Sequence, residues 1–331
     1  MKRNDPKRVL RAIGITVLCV LLALTALPYL IPLSQAASMA GLKPFDNSDR
    51  AVIRGTSFHF RIYPSSESRV KGKVLFVHGL GGSTFSFEAA APLITRQGYY
   101  GVLVDLPGFG YSDRSPAYDH SQANRADDLW QLLTIIDYSL QNELAAAPWH
   151  LAGHSMGGGT VVAMALQNEG RTRSLILIDP ALFAAARGSM AATFPPVSRW
   201  LQVALEHLLL TESGIKRFLT SAYGRAPTPG QIKGYLTPLT LPGTAASSAN
   251  LFKTARNEDA SLLNDISTPI LAMWGSEDTW VPVSESRRLM EIRPDVTLSI
   301  IQGAAHCAME THTDEFVRVV LSWLSQHEAP V

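Results

Sequence analysis

Gly153-His154-Ser155-Met156-Gly157 decides the reading of this chain, because a short apolar run precedes it and an amphipathic helical pattern follows it. Such a pentapeptide predicts a sharp strand-to-helix turn, a nucleophile elbow. Small residues two places either side of the serine are needed there, since a Cβ would strike neighbouring backbone. The turn would present the serine Oγ at a helix N-terminus, where free N–H groups and the helix dipole favour developing negative charge. An inert Gly/Ser turn can carry the same letters, so the surrounding chain must discriminate.

Outward from the elbow, strand and helix patterns alternate. After a polar connector at about residues 41–50, residues 57–63 place Phe58, Phe60 and Ile62 on one face, the period of a half-buried strand. Residues 74–77, 100–104, 149–152, 174–178 and 269–274 are short apolar runs suited to strands buried on both faces. Helical patterns fall at 85–96, 126–140, after the elbow, at 283–291 and at 313–326, with a further strand near 296–301. This alternation predicts right-handed crossovers and a mostly parallel sheet. Residues 181–265 interrupt it with amphipathic stretches punctuated by Pro195, Pro196, Pro227, Pro229, Pro238 and Pro242. A helical cap insertion is the expectation there, since so long a structureless loop is uncommon in a compact domain.

The first 40 residues read separately. Lys2, Arg3, Lys7, Arg8 and Arg11 precede an uncharged stretch at 12–33, which as a helix would span a bilayer core of about 30 Å. The basic flank predicts a cytoplasmic N-terminus and an extracytoplasmic remainder. A signal peptide is the competing reading: Pro28 and Pro32 break the run, and small residues at 34–40 could be cleaved to leave a secreted or periplasmic protein. The anchor is preferred because the run exceeds the roughly 7–15 residues of a signal core. The expected organisation is therefore 1–40 stub and anchor, 41–180 with 266–331 as an α/β core, and 181–265 as the cap.

Composition excludes other classes. A net charge of +1 and 17% charged residues leave no nucleic-acid footprint, and Cys19 and Cys307 are too few and too far apart for a disulfide framework. There is no H-E-x-x-H, P-loop or G-x-G-x-x-G pattern, so no metal or cofactor is expected.

Five landmarks stand in order, each at a strand end: His78-Gly79-Leu80-Gly81-Gly82, residues 105–112 (Asp-Leu-Pro-Gly-Phe-Gly-Tyr-Ser), the elbow, Gly275-Ser276-Glu277-Asp278, and Gly303-Ala304-Ala305-His306. Together they resemble the α/β-hydrolase family over about residues 50–327. The resemblance implies Ser155 as nucleophile, His306 as general base and Asp278 as the acid that orients it. Asp179, at another strand end, and Glu277 are the alternatives for the acid. His78 and His154 resemble family positions flanking the oxyanion region, while His207 and His312 read as solvated. The oxyanion hole, by the same resemblance, uses the backbone N–H groups of Leu80 and Met156. Asp105 and the Pro107 to Gly110 turn read as structural, and Cys307 as a buried apolar residue.

Serine at position 155 argues against the dehalogenases and epoxide hydrolases of this family, which resemble one another in using aspartate there. Carboxylic ester hydrolysis through an acyl-enzyme is the leading expectation. The alternatives are a C–C bond hydrolase, a cofactor-free haloperoxidase or perhydrolase, a proline iminopeptidase, and a non-catalytic ligand-binding module on the same fold. Apolar cap residues, including Phe183, Met190, Phe194, Trp200, Leu201, Leu205, Leu208, Phe218, Tyr223, Tyr235 and Phe252, suit a small-molecule ester with an apolar acyl group, such as one derived from lipid.

Overall fold

The structure is a computed structural model, and it describes residues 6–39, 41–140, 143–183 and 193–328. Eight strands form one sheet: β1 (Ser48–Ile53), β2 (Thr56–Tyr63), β3 (Gly72–Val77), β4 (Tyr99–Val104), β5 (Trp149–His154), β6 (Thr172–Ile178), β7 (Ile270–Gly275) and β8 (Thr297–Ile301). Their spatial order is β1-β2-β4-β3-β5-β6-β7-β8. The pairings from β4 through β8 are parallel, whereas β1 pairs antiparallel with β2, and β2 with β4. The mostly parallel sheet follows the sequence alternation, with one correction: β1 begins inside the stretch read as a polar connector. The turn joining β1 to β2 places both Arg54 (φ 48°) and Gly55 (φ 82°) in the left-handed region, as tight hairpin turns require.

Alternation along each central strand builds two cores. In β3, Leu75 and Val77 pack into one apolar cluster, Val74 and Phe76 into the other, and all four are buried. Burying a side chain of this size contributes about 1.5–3 kcal/mol, so both faces must be covered. The helices doing so include α2 (Ala91–Thr95), α3 (Gln122–Leu140) and α4 (Met156–Gln167). The helix expected over 85–96 is instead a 3₁₀ turn, Thr84–Phe87, followed by the short α2, whose first turn holds Pro92. A proline there lacks the N–H that would have continued the preceding turn.

Between β6 and β7 lie α5 (Pro195–Ala204), a π turn (Leu205–Leu209), α6 (Glu212–Tyr223), α7 (Pro229–Leu239) and α8 (Thr244–Thr254). Several prolines that punctuate this stretch open helices rather than interrupt them. Pro195 and Pro229 stand at the first helical positions, where the missing N–H costs nothing. Thr211 caps α6, and Thr228 forms a capping box with Gln231 at α7. The chain then closes with α9 (Glu285–Ile292), α10 (Ala308–Thr311) and α11 (Thr313–Gln326).

The apolar N-terminal stretch is one helix, α1 (Pro6–Leu30). It is long and apolar enough to cross a membrane by length and composition, and none of its most apolar window is buried in the protein. Its C-terminal end is clasped by α5. Arg199 donates to the Pro28 and Ile31 carbonyls at 3.0 and 2.6 Å, and Trp200 Nε1 to the Leu24 carbonyl at 2.8 Å. Beyond it, Glu206 accepts from the Ser34 N–H and hydroxyl, and Met39 is buried.

Candidate active site

The elbow forms between β5 and α4. Ser155 sits at φ 52°, ψ −115°, a conformation that costs a non-glycine residue energy and survives only where neighbours enforce it. They do so here. A Cβ on Gly157 would overlap the Val77 carbonyl, and one on Gly153 would overlap the Gly157 carbonyl, which explains the spacing of the motif. The Ser155 N–H donates to the Ile178 carbonyl at 2.9 Å, and the Ser155 carbonyl accepts from the Ala181 N–H at 3.1 Å. The turn is thereby stitched to the end of β6.

Asp278 follows β7 and His306 follows β8, and their loops are zipped together. The Glu277 N–H donates to the Ala304 carbonyl at 2.8 Å, and the Gly303 N–H to Ser276 Oγ at 2.9 Å. This brings Asp278 Oδ2 to 2.7 Å from His306 Nδ1, with both side chains buried. Asp278 Oδ1 accepts from the Trp280 and Val281 N–H groups at 2.7 and 3.1 Å. The acid therefore spends one oxygen on its own loop and one on the imidazole. Among the described residues, the Ser155 hydroxyl makes no hydrogen bond to protein, and the Leu80 and Met156 N–H groups have no backbone acceptor.

The alternatives for the acid are sorted by contact. Among the described residues Glu277 makes no hydrogen bond to His306; its N–H serves the loop zipper instead. Asp179 is fully buried at φ 42°, and its Oδ1 accepts from the Gly275 N–H at 2.8 Å. Ligand-type atoms of Asp179, Asp278 and His306 all lie within 4.8 Å of one another, a convergence that sequence spacing did not reveal.

The sequence reading places His154 beside the oxyanion region but misses its bond to His306, and it misses Trp280 altogether. His154 Nε2 donates to the His306 carbonyl at 2.8 Å, and the two rings lie 4.7 Å apart between centroids. Burial, reinforced by the neighbouring His306, holds the His154 ring well below the usual histidine range, so it is neutral. The Trp280 ring lies 5.1 Å from that of His306 and 5.0 Å from that of Phe218, and its Nε1 donates to Ser221 at 2.9 Å. Only folding brings these residues together.

The remaining motif residues are tied into the surrounding backbone or packing. Asp105 accepts from the Thr84 and Tyr111 N–H groups and pairs with His59 at 2.7 Å. His78 Nε2 accepts from the Leu106 N–H at 3.0 Å. Cys307 is buried, and burial pushes its thiol well above the usual range, away from reactive thiolate.

A cavity of about 420 Å³ adjoins this cluster, lined by residues that include Leu80, Phe109, Leu205, Phe218, Leu251 and Phe252. It meets the site at Leu80 and at Phe218, the ring that packs on Trp280. Of the other apolar residues expected to line a cap, Tyr223 and Tyr235 are buried on Glu310, and Trp200 faces α1. Met190 lies outside the described residues.

A strained serine on a strand-to-helix turn, with a buried imidazole–carboxylate pair on the next loops of a mostly parallel sheet, defines a hydrolase of the α/β class. The chain belongs to the alpha/beta hydrolase fold family, whose model matches residues 73–313. It is 24% identical, over 88% of its length and 98% of the relative's, to a 2-hydroxy-6-oxononadienedioate/2-hydroxy-6-oxononatrienedioate hydrolase of Cupriavidus pinatubonensis. Lipase 3 of a Moraxella species is also 24% identical, over 75% of this chain and 76% of that one. The solved structure of a membrane phospholipase A, a bacterial virulence factor, superposes with a TM-score of 0.66 and 21% identity. That match covers 97% of this chain and 98% of the other.

Proposed function

We propose that this protein hydrolyses carboxylic esters with an apolar acyl group through Ser155, His306 and Asp278. His306 Nε2 takes the Ser155 proton as Oγ attacks the ester carbonyl. The N–H groups of Leu80 and Met156 receive the oxyanion, and His306 returns the proton to the departing alcohol. Water, deprotonated by the same imidazole, then releases the acid from the acyl-enzyme. The observation carrying this reading is the 2.7 Å bond from His306 Nδ1 to a buried Asp278, which fixes the tautomer that leaves Nε2 bare.

The predominantly apolar cavity supports the choice of acyl group, since such walls pay no penalty for burying hydrocarbon. A C–C bond hydrolase is the second reading, favoured by the likeness to the Cupriavidus pinatubonensis enzyme. In this reading 41–180 and 266–331 form the catalytic core and 181–265 a cap over the cavity. Residues 1–40 are an uncleaved anchor that leaves the N-terminus cytoplasmic and the catalytic domain outside. The bonds from Arg199 and Trp200 to the end of α1 favour retention of the anchor over cleavage.

The test uses the full chain in detergent micelles. A fluorophosphonate should label Ser155 in wild type and not in Ser155→Ala. p-Nitrophenyl esters from acetyl to palmitoyl, with monoacylglycerols alongside, should be turned over best at the longer acyl lengths. A folded protein that takes no label at Ser155 removes the hydrolase reading. Turnover confined to short esters removes the apolar-acyl part of it.

A further inference from the structure

Asp179 lies where all three chemistry-bearing loops meet. Its neighbours Ile178 and Ala181 hold the Ser155 backbone from both sides, and its own N–H donates to the Met273 carbonyl in β7 at 2.9 Å. Its Oδ1 accepts from Gly275, the residue opening the loop that carries Asp278. Its Oδ2 is buried with no hydrogen-bond partner assigned to it, yet the Asp179 carboxyl has a ligand-type oxygen within 4.8 Å of one on Asp278. Two carboxylates at such range inside a protein cannot both be charged at modest cost, and an orphaned buried oxygen is expensive. A single proton between them removes both penalties.

We propose that Asp179 is a positioning residue that carries a proton and donates it as a hydrogen bond to Asp278, holding the ionised Asp278 on His306. The inference deepens the proposed function, since it assigns Asp278 as the charged partner of the base. Burial, and next the charge of Asp278, raise the Asp179 carboxyl well above the usual carboxylate range. The other titratable groups facing this cluster are His306, the neutral His154 against it, and the protonated thiol of Cys307. The bond would also explain why the strained Asp179 backbone is tolerated: the side chain ties the acid loop to the strand end that holds the elbow.

Infrared difference spectroscopy of the full chain in micelles tests this directly. Wild type at neutral pH should show the carbonyl stretch of a protonated carboxylic acid that is missing from Asp179→Asn. The asparagine amide can still donate to Asp278 and accept from Gly275, so Asp179→Asn should keep kcat within about threefold of wild type. Asp179→Ala should lose roughly tenfold or more in kcat with KM little changed, the scale of a hydrogen bond to a charged group. The absence of the band from wild type, an Asp179→Asn loss as large as that of Asp179→Ala, or wild-type kcat in Asp179→Ala would each overturn the proposal. If Asp179→Ala does not fold, the band and Asp179→Asn decide. A protein showing the band but no ester turnover would refute the proposed function while leaving the shared proton in place.

Discussion

At the scale of single residues, the site rests on an acid with two separate obligations. Replacing Asp278 by Asn keeps the loop N–H groups satisfied through Oδ1 and removes the charge facing Nδ1. Ester turnover should therefore fall by about three to four orders of magnitude with the fold intact, checked by kcat alongside circular dichroism, while Glu277→Gln should stay near wild type. His154 bonds the backbone of the proposed base. In His154→Phe the buried His306 carbonyl loses its donor, and kcat should drop about tenfold. The landmarks around Ser155, Asp278 and His306 were legible in sequence because each ends a strand in a short glycine-containing loop. The part of Trp280 was not, because Phe218, Ser221 and His306 reach it from distant parts of the chain. Local patterning cannot encode a contact made by three loops.

At the scale of elements, legibility follows burial. The final helix falls where its amphipathic pattern puts it, Thr313–Gln326, because one face is wholly core. Strand β1 escaped notice because it is an edge strand: only Ala51 and Ile53 turn inward, and Ser48, Asp49 and Arg50 give it the composition of a loop. The short α10 carries another acid, the half-buried Glu310, which accepts from Tyr223 Oη on α6 at 2.6 Å and from Tyr235 Oη on α7 at 2.5 Å. Burial outweighs those bonds and pushes its carboxyl up to about 7 from an ordinary 4.5. The folded state thus holds the proton more tightly than the unfolded chain does. This contribution to stability is complete below pH 4.5, declines as pH rises toward 7, and is flat above it. Melting temperature measured between those limits should fall with pH in wild type by more than in Glu310→Gln, and equal slopes would contradict the assignment.

At the scale of the whole molecule, α1 and the helices between β6 and β7 behave as one attachment. Arg199→Met removes two hydrogen bonds to the end of α1, a loss of about 1–3 kcal/mol on the usual scale. It should lower the melting temperature of the full chain in micelles without changing kcat on a soluble ester. Protease protection in sealed vesicles of both orientations checks the proposed topology: only the basic N-terminal stub should be cut from the cytoplasmic side. The helical character of 181–265 was readable from its amphipathic stretches, but which of its apolar residues line the cavity was not. That depends on how the π turn, α6, the end of α7 and α8 lean on one another.

Glu310 follows His306 by four residues and is held by two phenols from α6 and α7, so the proposed base and those helices share a mount. A displacement of α6 or α7 that preserves both phenolic bonds must carry α10 with it.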